Sequence, residues 1–318
     1  MNKLETIQKK EIAGAALLLA IFILPIISLA GSYEEIFVND NASGKQDGSY
    51  SHPYSTISKA IKEAEGKTKI IVKSGTYKEN IIVPSKVKII GKDKRKTIIK
   101  AKDSSKPVVI LKNKAEIMKV TINGGRYGVK IKDGKKGEIT IVDCHIKKAK
   151  RDGINIDRGE KDSQRKVNII DSKIYENGKS GIYSQRRRLV IMDSEIFDNK
   201  LDGIDIEESS KAYISKNKIY KNNGVGIKIR LDNANSTIRK NGIFKNEKDG
   251  IEVRSGGHKG EITIKKNDIV KNERFGIVKL LNKNYGNTNF SGLAVENNNN
   301  FWKNDDGNIS GIIKIFKR

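Results

Sequence analysis

The chain has 318 residues and a formal net charge of +25, from 63 Lys and Arg against 38 Asp and Glu. Its single cysteine, Cys144, excludes an intrachain disulfide, and His52, His145 and His258 are too scattered to form a zinc-ligand motif. So large a basic surplus asks for a polyanionic partner, yet no nucleic-acid module is recognisable, so no nucleic acid is expected.

Residues 1–30 read as a targeting segment. Lys3, Lys9 and Lys10 give a basic start, residues 12–29 are apolar, and Pro25 precedes the small-residue site Ser28-Leu29-Ala30, followed by Gly31. This pattern predicts a secretory signal cleaved after Ala30. The apolar run is nearly long enough to span a bilayer, so an uncleaved anchor is the alternative. Either way the rest of the chain is expected outside the cytoplasm, secreted or held to a membrane only by residues 12–30. No Cys follows the apolar run, which argues against a lipoprotein.

Residues 31–318 read as one domain. Alternating apolar residues predict short strands at 70–72, 81–83, 87–90, 97–99, 108–111 and 120–122. Before them, Pro53 is followed by Ser55-Thr56-Ile57, and Ile57, Ala60, Ile61 and Ala64 share one helical face ahead of Gly66. The spacing predicts a short amphipathic helix over 56–65. Its expected place is the open end of the core, because an uncovered solenoid end invites aggregation.

From residue 128 a phrase recurs. Gly-Ile-x-Ile or a close variant starts at Gly128, Gly153, Gly181, Gly203, Gly226, Gly250 and Gly276, at intervals of 25, 28, 22, 23, 24 and 26. A second phrase keeps step with it at Ile146, Ile174, Ile196, Ile219, Ile243, Ile269 and Phe301. The apolar period within each phrase is two, as in Ile204 and Ile206, so the repeat is built from strands. Strands repeating at this interval predict a parallel β-solenoid of about ten coils, with equivalent residues stacked about 4.8 Å apart.

Stacking turns equivalent residues into ladders. Asn177, Asn199, Asn222, Asn246, Asn272 and Asn304 form one, expected to satisfy the backbone at a turn, where Asn tolerates left-handed dihedrals. Cys144 falls in line with Ser172, Ser194, Asn217, Asn241 and Asn267, and is expected to be a buried ladder residue. Tyr175, Phe197, Tyr220, Phe244 and Trp302 form a further column, expected to pack in the core or turns more than to offer a sugar platform. Residues 282–291 interrupt the repeat as a polar loop, and the chain ends on charged residues able to discourage edge pairing.

Two sets of outward residues are candidates for function. The turns after the Gly-Ile-x-Ile strands hold Lys132, Lys135 and Lys136; Arg158, Lys161, Arg165 and Lys166; Arg186, Arg187 and Arg188; Arg230; and Arg254, His258 and Lys259. They predict a basic stripe for an acidic polysaccharide or other cell-surface polyanion, with Arg158, Arg186, Arg187, Arg188 and Arg254 as its contacts. A solvated turn face is the alternative. The strands themselves expose Asn155 and Asp157, Tyr183 and Gln185, Asp205 and Glu207, Lys228 and Arg230, and Glu252 and Arg254. Asp205 and Glu207 point the same way, one coil from Lys228 and Arg230. This is either a polar site or a surface salt-bridge ladder.

The opening residues Ile36-Phe37-Val38, the run Gly48-Ser49-Tyr50-Ser51-His52-Pro53-Tyr54-Ser55-Thr56-Ile57 and the run Ile70-Ile71-Val72-Lys73-Ser74-Gly75-Thr76-Tyr77 resemble the head of right-handed parallel β-helix proteins of the pectin-lyase superfamily. The Gly-Ile-x-Ile and Asn-x-Ile-x-x-Asn phrases are similar to that superfamily's repeat region. The resemblance spans roughly residues 35 to 318 and implies the fold; it does not choose an activity. Of the polygalacturonase-like acidic elements only Asp202, in Lys200-Leu201-Asp202-Gly203, has a counterpart, and the Asp-Pro-His-Asp motif of alginate epimerases is absent. The resemblance to calcium-dependent uronan lyases implies a cation that neutralises the uronate and a Lys or Arg base. On this chain those roles fall to Asp205 and Glu207 as ligands of Ca2+, and to Lys228 and Arg230 as catalytic bases. The readings that follow are an exported binder of acidic polysaccharide, a uronan lyase acting by β-elimination, and a non-catalytic surface spacer.

Overall fold

Short runs of alternating Ile and Val cannot bury a face alone, so each must stack on the next. The computed structural model describes residues 33–132, 134, 137–159, 164–208, 210–256, 258–282 and 290–315. The signal or anchor segment and residues 283–289 of the 282–291 loop lie outside the described residues, as do Lys135, Lys136 and Lys161. Among the described residues no helix is long and apolar enough to cross a membrane.

From Glu34 onward the chain forms one compact unit in which strands pair in parallel with their counterparts in adjacent coils. The first sheet holds 11 strands, from Glu34–Val38 to Leu293–Val295. The second holds 10, from Gly75–Lys78 to Asn300–Trp302, and the third holds 10, from Ile81–Val83 to Gly307–Ile315. This is the all-β parallel β-helix that the repeat predicts. The strand Glu116–Met118 had no sequence signal, because Ile117 is its only inward residue and one residue shows no alternation.

The core is a column of aliphatic side chains, with Ile204, Ile227, Ile251 and Ile277 stacked in register in the third sheet and fully buried. The leading glycines are required for room. An added Cβ at Gly203 would lie 2.7 Å from the carbonyl oxygen of Gly226 and 2.7 Å from Ile219 Cγ2. A helix at Ile57–Glu63 packs Ile57 and Ala60 into the core beside the first strands. Its N-terminus is fixed by Thr56 Oγ1, which accepts from Lys59 N at 3.2 Å, and by Glu79, whose carboxylate accepts from Ile57 N and Ser58 N at 2.8 and 2.7 Å.

Two amide ladders line the turns. Asn199 Oδ1 accepts from Asn177 N and Nδ2 at 3.2 and 2.9 Å, and Asn222 and Asn246 repeat the bond in later coils. Cys144 heads the other ladder: its N–H donates to Ser172 Oγ, Ser172 N to Ser194 Oγ, and Ser194 N to Asn217 Oδ1. The left-handed dihedral belongs to the residue before each ladder Asn, not to the Asn itself: Glu176, Asp198, Lys221, Lys245, Lys271 and Lys303 all have positive φ. The buried Asn serves the backbone, and the strained position beside it is exposed.

The aromatic column differs from expectation. Ile174, Ile196, Ile219 and Ile243 point inward, so Tyr175, Phe197, Tyr220 and Phe244, one residue on, point out from the second sheet. Their rings stack at centroid separations of 4.9, 5.0 and 4.9 Å with planes within 3° of parallel. Each ring covers its neighbour's face, so only the ring edges are presented to solvent.

Candidate functional site

The outer face of the third sheet brings polar side chains into one row. Lys130, Asn155, Tyr183, Asp205, Lys228 and Glu252 are register partners through six successive coils. Beside this row Gln185 pairs with Glu207, and Arg230 with Arg254. Parallel pairing without a bulge fixes these neighbours, which is why the strand-face residues meet as the sequence predicts.

Lys228 is the centre of the row. Its Nζ lies 2.8 Å from Asp205 Oδ2, 3.5 Å from Asp202 Oδ2 and 3.7 Å from Glu207 Oε1. Arg230 Nε holds Glu207 Oε2 at 3.1 Å, and Arg254 pairs with Glu252 in its own strand. Asp202 is fixed from the turn ahead of Gly203, where its Oδ1 accepts from Val225 N at 2.9 Å. At the other end of the row Lys130 Nζ donates to Asn155 Oδ1 at 2.6 Å and also pairs with Asp157. Asn155 Nδ2 then donates to Asp152 Oδ2 at 2.7 Å.

Burial shapes the chemistry of this cluster. Asp205 is only 7% exposed, and its Oδ1 is buried with no hydrogen-bond partner. Burial pushes its carboxyl up to about 6, although the Lys228 ammonium pulls the other way. Burial likewise raises Glu252 against the pull of Arg254, and raises the Tyr183 phenol, with Asp205 and Glu207 adding to the effect. For Lys228, burial favours the neutral amine, but the charges of Asp205 and Asp202 and the hydrogen bond Lys228 donates to Asp205 outweigh it, so the group is held as an ammonium. A lysine held this way is a hydrogen-bond donor, not the neutral base that a Lys228 proton-abstraction role needs.

The calcium role expected of Asp205 and Glu207 meets a similar obstacle. The point where Asp202, Asp205 and Glu207 converge is taken by the Lys228 ammonium. Among the described residues no group of three or more His, Cys, Asp or Glu is arranged to hold a metal ion. The donor set does not fit a bound calcium ion.

The basic turns are less open than a stripe. Arg187 is fully buried, with Nε donating to Asp157 O at 3.0 Å and a guanidinium nitrogen donating to Gly134 O at 3.3 Å. Arg165 is buried too and donates to Lys132 O at 3.0 Å. Arg158 and Arg186 share Glu208 Oε2 at 2.7 and 3.3 Å, while Arg188 is exposed. Of Arg158, Arg186, Arg187, Arg188 and Arg254, the structure therefore joins the first two on a carboxylate, turns Arg187 inward and sets Arg254 beside Glu252. Sequence reasoning missed Glu208 and Asp232 because it read these turns only for their basic residues, and the acids that answer them sit in the same turns. Asp232 accepts from Gly256 N and His258 N at 2.8 Å each, and lines a small cavity with Arg186, Glu208, Arg230 and His258.

Residues 160–312 match a family model described as a right handed beta helix region. The fold is shared with pectate lyase Pel9A at a TM-score of 0.61 and 15% identity, over 89% of this chain and 80% of that one. It is shared with the A-module of the Azotobacter vinelandii mannuronan C-5 epimerase AlgE6 at a TM-score of 0.54 and 15% identity, over 82% and 95%. The Dettilon tailspike protein gp208 follows at 0.56 and 14%, over 92% and 66%. No curated protein matches the chain in sequence.

Proposed function

We propose that this chain, a right-handed parallel β-helix repeat protein of the pectate-lyase-like fold, is an exported protein that binds acidic polysaccharide along the outer face of its third sheet. The observation that carries the reading is the cluster around Lys228. Four carboxylates and three cationic side chains, on or beside three consecutive strands, are partly withdrawn from water and held by one another. Burying charge is costly, and a face that only had to stay soluble would leave these groups in solvent. Fixed carboxylates accept hydrogen bonds from sugar hydroxyls, and fixed Lys and Arg donate to uronate oxygens. The net charge of +25 favours an acidic polymer over a neutral one. Two proteins of the same fold are named for pectate and for mannuronan. The leader-like pattern of residues 1–30 supports the export half of the reading.

A lyase reading has one observation in its favour. Asp205 Oδ1 is unpartnered on a carboxyl raised to about 6, a group able to move a proton near neutral pH. The test is affinity electrophoresis through polygalacturonate, alginate and a neutral glucan, with ultraviolet absorbance of unsaturated uronates followed in parallel. Binding predicts retardation by the acidic gels, weakened at least tenfold in Arg254→Ala. Equal mobility in all gels sinks the binding reading. Growth of the absorbance, abolished in Asp205→Asn, would instead establish a lyase.

A further inference from the structure

The two turns that bound the second sheet carry charges sorted by coil around its middle. In the turn entering this sheet, the positive-φ residue is Lys119, then Asp143, Asp171 and Asp193 in three successive coils, then Lys216, Lys240 and Lys266 in the next three. In the turn leaving it the same position is Lys148, then Glu176 and Asp198, then Lys221, Lys245, Lys271 and Lys303. On the strand between, the column runs Lys173, Glu195 and Lys218 with alternating sign, and Glu195 already pairs with Lys173 at 3.3 Å, so only the two turns are sorted. Both turn reversals fall at one boundary, between the strands Glu195–Phe197 and Lys218–Tyr220. The aromatic column is centred on the same boundary, with Tyr175 and Phe197 before it and Tyr220 and Phe244 after it. Their planes stay within 3° of parallel, so the face hardly twists there.

Sorted charge is unfavourable within one chain. Neighbouring coils set like charges side by side, where alternating signs would attract. Among the described residues these turn charges form only two ion pairs in their own chain, Asp143 with Lys94 and Glu176 with Lys148. A second copy turned end over end, about a two-fold axis lying in the face and parallel to the strands, resolves the conflict. We infer that the chain associates with a second copy of itself in this antiparallel way.

The pairing follows from the register. Asp193 faces the partner's Lys216, Asp171 the partner's Lys240, and Asp143 the partner's Lys266. Glu195 faces the partner's Lys218, Asp198 the partner's Lys221, and Glu176 the partner's Lys245. A two-fold makes each contact occur twice. Phe197 meets the partner's Tyr220 and Tyr175 meets the partner's Phe244, edge to edge. One like pair arises, Lys148 with the partner's Lys271, and beside it Lys150 meets the partner's Glu273. The other face-to-face two-fold, along the coil axis, would set Asp193 on the partner's Asp198, Asp171 on the partner's Glu176, Lys216 on the partner's Lys221 and Lys240 on the partner's Lys245, with only Asp143 on the partner's Lys148 attractive. Strand rise and spacing make the patch roughly 16 Å by 24 Å. At about 800 Å² in total it is smaller than a stable specific interface, so the dimer is expected to be weak and transient, to depend on concentration and to weaken with salt.

The test is sedimentation velocity of the full chain in mild detergent at low and high salt, with two double variants checked for fold by circular dichroism. Asp171→Lys with Asp193→Lys makes both halves of the entering-turn column basic at these positions. Lys216→Glu with Lys240→Glu makes both halves acidic. The wild type is expected to dimerise at low salt and dissociate at high salt. Each variant alone should self-associate at least tenfold more weakly, and an equimolar mixture should restore the dimer. A wild type that stays monomeric at every concentration, variants that dimerise like the wild type, or a mixture that fails to associate would each overturn the proposal. So would a monomeric wild type whose binding to an acidic polysaccharide is lost only in the Lys216→Glu and Lys240→Glu variant, because the lysines would then serve that polymer.

Discussion

The outer face of the third sheet and the turns bounding the second are built on the same coils, at the same spacing, yet handle charge in opposite ways. On the third sheet signs are mixed between adjacent coils, so Asp205 meets Lys228 and Lys228 meets Glu252 in register. The ladder closes on itself, and its members are largely withdrawn from solvent. In the turn entering the second sheet signs are sorted, three acids and then three lysines, and all but Asp143, which is half-buried against Lys94, stay exposed. The register fixes who the neighbours are, and the order of signs decides whether a ladder is complete within the chain or needs another surface. A closed ladder holds polar groups in fixed orientation, which suits recognition of a small repeating ligand. An open one suits a charged surface of matching period.

The sharpest way to break this comparison is to remove one lysine from each face. Lys228→Met leaves Asp202, Asp205 and Glu207 without their shared cation in a poorly solvated place, an expected loss of about 3 kcal/mol in urea unfolding. Lys216→Met removes an exposed charge and is expected to change stability by less than about 0.5 kcal/mol. Similar losses at both sites would mean that the third-sheet cluster is no more closed than the turn ladders.

Much of this was legible in sequence, and the exceptions have physical causes. The intervals between Gly128 and Gly276 and the alternation of Ile give the coils, and with them the meeting of Asp205 and Glu207 with Lys228 and Arg230. The orientation of Tyr175, Phe197, Tyr220 and Phe244 follows from parity, because each comes one residue after an inward Ile. Arg187 was not legible. Arg186 takes a positive φ of 48°, which redirects the chain so that the middle residue of Arg186-Arg187-Arg188 turns inward onto carbonyls of earlier coils. Nor were Asp202 and Asp232 legible as supports, since their bonds to Val225 N and Gly256 N depend on turns of unequal length. The sorted charges become visible only once the residue before each ladder Asn, Ser or Cys is known to be the exposed, left-handed one.

A pH titration sharpens the same contrast from the closed side. Burial raises the Asp205 carboxyl from an ordinary 3.8 to about 6. A raised acid binds its proton more tightly in the folded state, so its stabilising contribution is complete below 3.8 and is lost as pH rises through about 6. Relative to Asp205→Asn, the wild type should lose up to about 3 kcal/mol between pH 4 and pH 7, at 1.36 kcal/mol per pKa unit. The midpoint of urea unfolding at a series of pH values reads this directly. A difference that stays flat across the window would mean that Asp205 is solvated, and with it the case for a closed, buried cluster.

The smallest expected effect tests the open side. Lys240 has a φ of 54°, a conformation that costs an ordinary L-residue roughly 1 kcal/mol and that Asn tolerates. It also stands between Lys216 and Lys266 in the column, so local physics gives two reasons to prefer another residue there. Lys240→Asn is therefore expected to stabilise the isolated monomer by up to about 1 kcal/mol, measured by urea unfolding at high salt and low protein concentration. The same substitution should weaken self-association at low salt, since it removes the group facing Asp171 across the two-fold. A gain in monomer stability joined to a loss of association would show the lysine kept for its contact with another molecule against the preference of its own backbone. A loss of monomer stability would place its value inside the chain, and the sorted ladder would then need an intramolecular explanation.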